Sequence, residues 1–295
     1  MKRIVICILC LVVLLCGCAN VAPKSDKPTV VTTIFPLYDF ARAIGGEKIE
    51  VKMLIRPGCE VHSYEPLPTD MMAVYDSDLF LYIGGESDEW VNTLLAGNDI
   101  NSLALAANAE HMHQEHGHSH IDEHIWTSPD NAAIMLSKIC EKIIENDPSN
   151  QEFYQKNCDN YIKKIEQVSD KISNIVAQHD NPFILVADRF PFEYFTEYFG
   201  IKYEAAFGGC ATSTDISLKT MARLTKTIEE RNIKSVFCTE LSNQNIAKAL
   251  NEQLGVEIIE LHSAHNVTLN DFNNGITYVD ILNRNATALE RGLNQ

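Results

Sequence analysis

At 295 residues the chain can bury one large core or two modest ones, and 45% apolar with 22% charged residues is a globular balance that excludes wholesale disorder. A formal net charge of −16 excludes nucleic acid as a partner, since such a chain has nothing to neutralise phosphates, and it suits a protein that handles cations.

The chain opens with Lys2 and Arg3, then an apolar run from Ile4 to Cys16, and carries no further charge until Lys24. That run is too short to span a bilayer and has the signature of a secretory signal peptide. Its end, Leu15-Cys16-Gly17-Cys18, resembles the bacterial lipobox, Leu-small-Gly-Cys. The resemblance implies cleavage before Cys18 and a lipid on its sulfur. Residues 1–17 are then the signal peptide and 18–28 a flexible tether. Losing Lys2 and Arg3 makes the mature chain two units more negative than −16. Of nine cysteines, Cys59, Cys140, Cys158, Cys210 and Cys238 remain as thiols, an odd number that is not a disulfide framework. Cys59 and Cys210 both lie in Gly-flanked loops and could form one bridge. Cys140, Cys158 and Cys238 fall in helical or strand patterns and read as buried apolar fillers.

From residue 29 the pattern is βα. Val30 to Ile34 is a β-branched strand, Pro36 to Ala43 a short helix, and Val51 to Ile55 a second strand closed by Pro57-Gly58. A loop with Cys59, Glu60, His62 and Tyr64 leads to a helix over 69–75 and a third strand over 79–83. Strands alternating with helices predict a parallel sheet, in which ligands bind beyond the carboxyl ends of the strands. His62 lies in a loop of that kind.

Residues 111–126, HMHQEHGHSHIDEHIW, hold six of the ten histidines, at 111, 113, 116, 118, 120 and 124. Neutral imidazole is the commonest protein ligand for transition metals, and a tract of this composition reads as metal-binding. The run is internal and interrupted, unlike an expression tag. Thr127-Ser128-Pro129-Asp130 then starts a helix, with a hydroxyl cap, Pro at the first position and an early acid. Asn146-Asp147-Pro148 ends it, and Ser149-Asn150-Gln151-Glu152 reads as a capping box for a second helix reaching about Gln178. Some thirty helical residues would span about 45 Å, the proportions of a rigid connector.

The first pattern then recurs as architecture, without a residue-level repeat: strands at 183–186, 202–206, 235–238 and 256–259, with helices between them and a last helix over 275–293. The predicted fold is α/β, two βα lobes with mainly parallel sheets (29–146 and 181–295) joined by a long helix (147–180), with a metal site between lobes. The first lobe offers His62 and His124. The second offers His262 and His265 after its last strand, Asp188 after Val186 and Glu240 after Cys238. Three or four such groups suit a tetrahedral site for a divalent transition metal.

Lipobox, two lobes, PGCEVHSYEPLPTD (57–70), the histidine-rich loop, DEHIWTSP (122–129) and the linking helix together resemble the substrate-binding lipoproteins of zinc and manganese ABC importers. The resemblance covers essentially the whole mature chain, and in that family the His of each quoted stretch is a metal ligand, which carries over to His62 and His124. It implies a His or Glu after the first strand of the second lobe and an Asp after the last. This sequence departs at both places. VADRFPFEYF (186–195) puts Arg189 at the third position, and arginine cannot ligate a metal, so the role passes to the adjacent Asp188. IIELHSAH (258–265) puts His262 at the fourth. The expected set is His62, His124, His262 and Asp188, with Glu240 and His265 as weaker candidates; between Asp188 and Glu240 the sequence does not decide. Three imidazoles favour Zn2+ over Mn2+, and ligation by neutral imidazole predicts affinity falling below about pH 6.5. The resemblance further implies that His111, His113, His116, His118 and His120 buffer metal rather than build the site. It implies a monomer, lipid-anchored on the extracytoplasmic face of the cell membrane, that delivers metal to an ABC permease and its ATPase subunit.

Two rivals belong to other classes. His120-Ile121-Asp122-Glu123-His124 matches H-x-x-E-H, a zinc-peptidase pattern that requires a helix, where Gly117 and the helix start at Ser128 instead indicate a loop. A lipoprotein adhesin of the same fold is the other, and nothing in the residues favours it over transport. No enzymatic activity is expected.

Overall fold

The computed structural model describes residues 27–106, 122–209 and 217–293. Its first half runs β1 (Thr29–Thr32), α1 (Phe35–Gly45), β2 (Glu50–Met53), α2 (Pro68–Tyr75), β3 (Leu79–Tyr82), α3 (Glu89–Leu95) and β4 (Ser102–Ala104). The strands form one parallel sheet in the order β2-β1-β3-β4. Val30 and Val31 are buried on its two faces, as a parallel strand covered on both sides requires.

Two antiparallel helices follow, α4 (Pro129–Asn146) and α5 (Gln151–Val176). The second half contains β5 (Phe183–Val186), α6 (Glu193–Phe199), β6 (Lys202–Ala205), α7 (Leu218–Arg231), β7 (Ser235–Cys238), α8 (Asn245–Leu254) and β8 (Glu257–Glu260). It ends in α9 (Leu269–Asn273) and α10 (Tyr278–Leu293). Its sheet is also parallel, in the order β6-β5-β7-β8. The two-lobed α/β architecture expected from the alternating pattern is therefore present. Three short elements, α3, β4 and α9, carry no signal that periodicity could register.

The long helix is shorter at both ends than its pattern suggested. Residues 148–150 form a 3-10 turn, and the expected capping box is absent. Asp147 organises the turn instead, accepting from the side chains of Ser149, Asn150 and Tyr154. From there α5 buries Tyr154, Cys158, Tyr161, Ile165, Val168, Ile172 and Ile175 at alternating steps of four and three. That stripe packs on α4 and α1 from the first half and on α10 from the second. One apolar cluster consequently includes Phe40, Trp126, Ile165, Ile184 and Tyr278, residues drawn from both halves. The buried Asp39 adds a polar knot, accepting from Arg42 Nε at 2.8 Å, from the Tyr161 hydroxyl and from the Tyr278 backbone N–H at 2.7 Å. It ties α1, α5 and α10 together.

Cys140, Cys158 and Cys238 are buried and Cys59 is exposed; Cys210, its suggested partner, lies outside the described residues. So do Cys18 and the histidines from 111 to 120. Among the described residues no helix is long and apolar enough to cross a membrane.

Candidate metal centre

The carboxyl ends of both sheets face one cleft of about 290 Å3. Its walls are the loop after β2, the segment before α4, and the loops after β5, β7 and β8. His62, His124 and His265 meet there. One ring nitrogen from each lies within 4.8 Å of the others, and the ring centroids are 5.6, 5.0 and 5.0 Å apart.

A carboxylate supports each histidine, beside the ring for His124 and His62 and through the backbone for His265. His124 is fully buried, and its Nδ1 lies 2.6 Å from Asp122 Oδ1, which also accepts the His124 backbone N–H at 2.8 Å. Among the described residues its Nε2 is buried with no partner. A buried ring nitrogen without a hydrogen bond is costly, and coordinating a metal ion would satisfy it. His62 Nδ1 lies 3.1 Å from Ser87 Oγ and 3.5 Å from Glu123 Oε1, while the Glu123 carboxylate accepts from both the hydroxyl and the backbone N–H of Ser87. This directs Nε2 of His62 at the centre. His265 is positioned through its backbone, since its N–H donates to Glu240 Oε1 at 3.2 Å and Glu240 also accepts from the N–H and hydroxyl of Ser263. Carboxylates standing behind metal-binding histidines fix the tautomer and orient the ring.

The electrostatics divide the three. His265 is held well below the ordinary imidazole range, first by burial and then by repulsion from His124, His62 and Arg189. His62 is lowered too, with burial again the largest cause, although Glu123 and Glu60 oppose it. For His124 burial is also largest and pulls down, yet Asp122, then Glu123 and Glu240, outweigh it and the pKa ends raised. Two rings are thus pushed toward the neutral form, and the third toward the protonated one.

The loops that carry the histidines are stitched across the two halves. Asn266 Nδ2 donates to the carbonyls of Arg56 and Cys59 at 2.9 Å each, and Gly58 N–H donates to Val267 O at 2.8 Å, joining the His62 loop to the His265 loop. Trp126 Nε1 donates to Ser263 O at 2.8 Å, and its ring lies 4.8 Å from that of His265. Every member of Asp-Glu-His-Ile-Trp (122–126) therefore has a place: two orienting carboxylates, one imidazole, a buried Ile125 and an interlobe bridge.

The expected order of the two histidines after β8 is corrected by this geometry. His262 faces away from the cleft, beside Thr127, Phe192, Phe195 and Tyr278, and its Nδ1 accepts the Ala264 N–H at 2.9 Å. Asn285 holds its backbone N–H and carbonyl at 2.8 Å each. The chain turns at Ala264, whose φ is +63°, so that His265 enters the cleft. Asp188 and Glu240 both line the cleft but neither joins the close group. Both Glu240 oxygens are occupied, whereas Asp188 accepts the Arg189 N–H at 2.9 Å on Oδ1 and has a buried, unpartnered Oδ2. Ser87, Asn266 and the orienting role of Glu123 had no signal in the sequence, since each acts on a residue far from it in the chain. The segment 122–124 is not helical and leads into a 3-10 turn, so the H-x-x-E-H pattern lacks the helix it needs.

Comparison with known proteins follows the geometry. Residues 30–292 match the family model described as zinc-uptake complex component A, periplasmic. The chain is 29% identical over 285 residues to the high-affinity zinc uptake system protein ZnuA of Bacillus subtilis, covering 92% of this chain and 89% of that protein. It is 27% identical to the zinc-binding lipoprotein AdcA of Streptococcus pneumoniae, covering 95% of this chain but only 59% of that longer protein. The crystal structure of the Zn(II)-bound ZnuA-like domain of that AdcA superposes with a TM-score of 0.78 at 25% identity, over 91% of this chain and 100% of that one.

Proposed function

As the chain belongs to the periplasmic zinc-uptake component A family, we propose that it captures Zn2+ outside the cytoplasm and delivers it to an ABC-type importer. The observation that carries this reading is the convergence of His62, His124 and His265 at the lobe interface, with the buried Nε2 of His124 otherwise unpartnered. We assign these three as the protein's zinc ligands, oriented by Asp122, by Glu123 through Ser87, and by Glu240. An imidazole set selects zinc over manganese, which prefers oxygen. Transport is favoured over catalysis because Glu123, the base that a peptidase reading requires, is buried and committed to Ser87.

The sequence features outside the described residues complete the proposal. Cys18 carries a lipid that holds the mature chain at the extracytoplasmic face of the membrane, with residues 18–28 as tether. The histidines at 111, 113, 116, 118 and 120 gather metal without forming the tight site. The partners are a permease and its ATPase subunit, and the chain acts as a monomer divided at about residues 146 and 180.

Zinc competition titration against a chromogenic chelator tests the ligand set. Alanine at His62, His124 or His265 should each lower affinity far more than His262→Ala or deletion of residues 111–120. A loss at His262→Ala equal to that at His265→Ala would overturn the assignment.

A further inference from the structure

Three imidazoles supply three donors, and zinc is normally four-coordinate. Among the described residues, no further side chain joins the close group as a fourth donor. Glu240 is consumed by Ser263 and by the His265 backbone. Glu60 accepts the His62 N–H at 3.3 Å and Arg189 Nη1 at 3.0 Å. Asp188 lines the cleft with a buried, unpartnered Oδ2 but lies outside the close group of ring nitrogens. The residue that does face this space, on the loop after β5, is Arg189. It lines the same cleft as the three histidines, and its Glu60 contact reaches across from the second half to the first. Among the described residues its Nε is buried with no partner. A guanidinium on the wall of a dication site opposes binding by charge.

An anion between the two cations removes the conflict. A small oxyanion can place one oxygen on the metal and accept from the planar guanidinium with another, the pairing for which arginine is suited. A cleft of about 290 Å3 leaves room for it beside the metal, since one water takes up about 30 Å3 in the liquid. Resting on the zinc reading above, we propose that Arg189 is an anion anchor: zinc is held together with a small oxyanion, of the bicarbonate or short-carboxylate class, that fills the fourth position and bridges the metal to the guanidinium.

The test is zinc affinity of the whole mature protein in carbonate-free buffer at constant ionic strength, with added bicarbonate, acetate or chloride. Bicarbonate or acetate should tighten binding about tenfold or more, the scale of a group that supports a metal from outside its protein ligands. The more effective of the two identifies the source, and chloride should not reproduce the effect. Arg189→Gln should still bind one zinc per chain but lose the response, and Arg189→Lys should keep only part of it. The visible spectrum of the cobalt-substituted protein should shift on adding the anion in wild type and not in Arg189→Gln. Affinity independent of the anion, an equal response in Arg189→Gln, or loss of binding in Asp188→Asn without any anion effect would overturn the proposal. A wild-type chain that binds no zinc under any condition would instead defeat the zinc reading itself.

Discussion

Asp122 and His124 form the most consequential pair at the scale of single residues. The carboxylate raises the pKa of a ring that burial alone would lower, so in the metal-free protein His124 retains its proton to higher pH than an ordinary imidazole. Zinc must displace that proton. His62 and His265 are shifted the other way and are already neutral near pH 7. The sign follows: affinity should fall as pH drops through the raised pKa of His124, with up to one proton released per zinc from that ring. Below that pKa the decline should approach about tenfold per pH unit, the slope of one competing proton. Calorimetry in buffers of different ionisation enthalpy would count the protons, and a count near three would contradict the division. Asp122→Asn should flatten the decline and weaken zinc binding by about 10- to 100-fold, as loss of an orienting carboxylate does.

Elements matter here through what they hold in register. The 3-10 turn at Glu86–Asp88 carries Ser87 to Glu123, and Gly85 precedes it. A Cβ at Gly85 would lie 2.3 Å from Glu123 Oε2 and 2.5 Å from its Cβ, too close for either to stay in place. Gly85→Ala should therefore displace Glu123 and release His62, lowering zinc affinity about 10-fold or more with only a modest change in melting temperature. Unchanged affinity would remove Glu123 from the list of orienting groups. The long helix works on a larger span. Because α5 packs on α1 and α4 on one side and α10 on the other, opening the lobes would strip a continuous apolar stripe. Each buried Ile or Leu on such a stripe is worth about 1.5–3 kcal/mol, which opposes a wide hinge.

For the whole molecule this packing restricts zinc-linked motion to small tilts and loop ordering. Small-angle scattering should give nearly the same radius of gyration with and without zinc, and a clear compaction on loading would refute a rigid frame. The cleft also explains the chain's architecture. It lies at the carboxyl ends of two parallel sheets, so short loops from both converge on one point. Asn266 and Trp126 then bind those loops together across the interface.

Much of this was legible in the residues by themselves, and the division has a physical basis. Alternating β-branched and amphipathic runs imposed two βα lobes and a long helix, because burial of a face demands a period. His62 and His124 could be read because each sits in a local motif whose neighbours serve it, Asp122 for His124 above all. Short elements such as β4 and the five-residue α9 escaped, since neighbouring strands and core contacts stabilise them rather than propensity. His262 and His265 lie three residues apart in an irregular loop, where no period tells which side chain points inward. The turn at Ala264, held by Glu240 from the loop after β7, made that choice. Motifs and the family they resemble determined that this chain handles a transition metal, with zinc favoured; only the packed tertiary structure decided which imidazoles meet, because their meeting depends on contacts between residues distant in the chain.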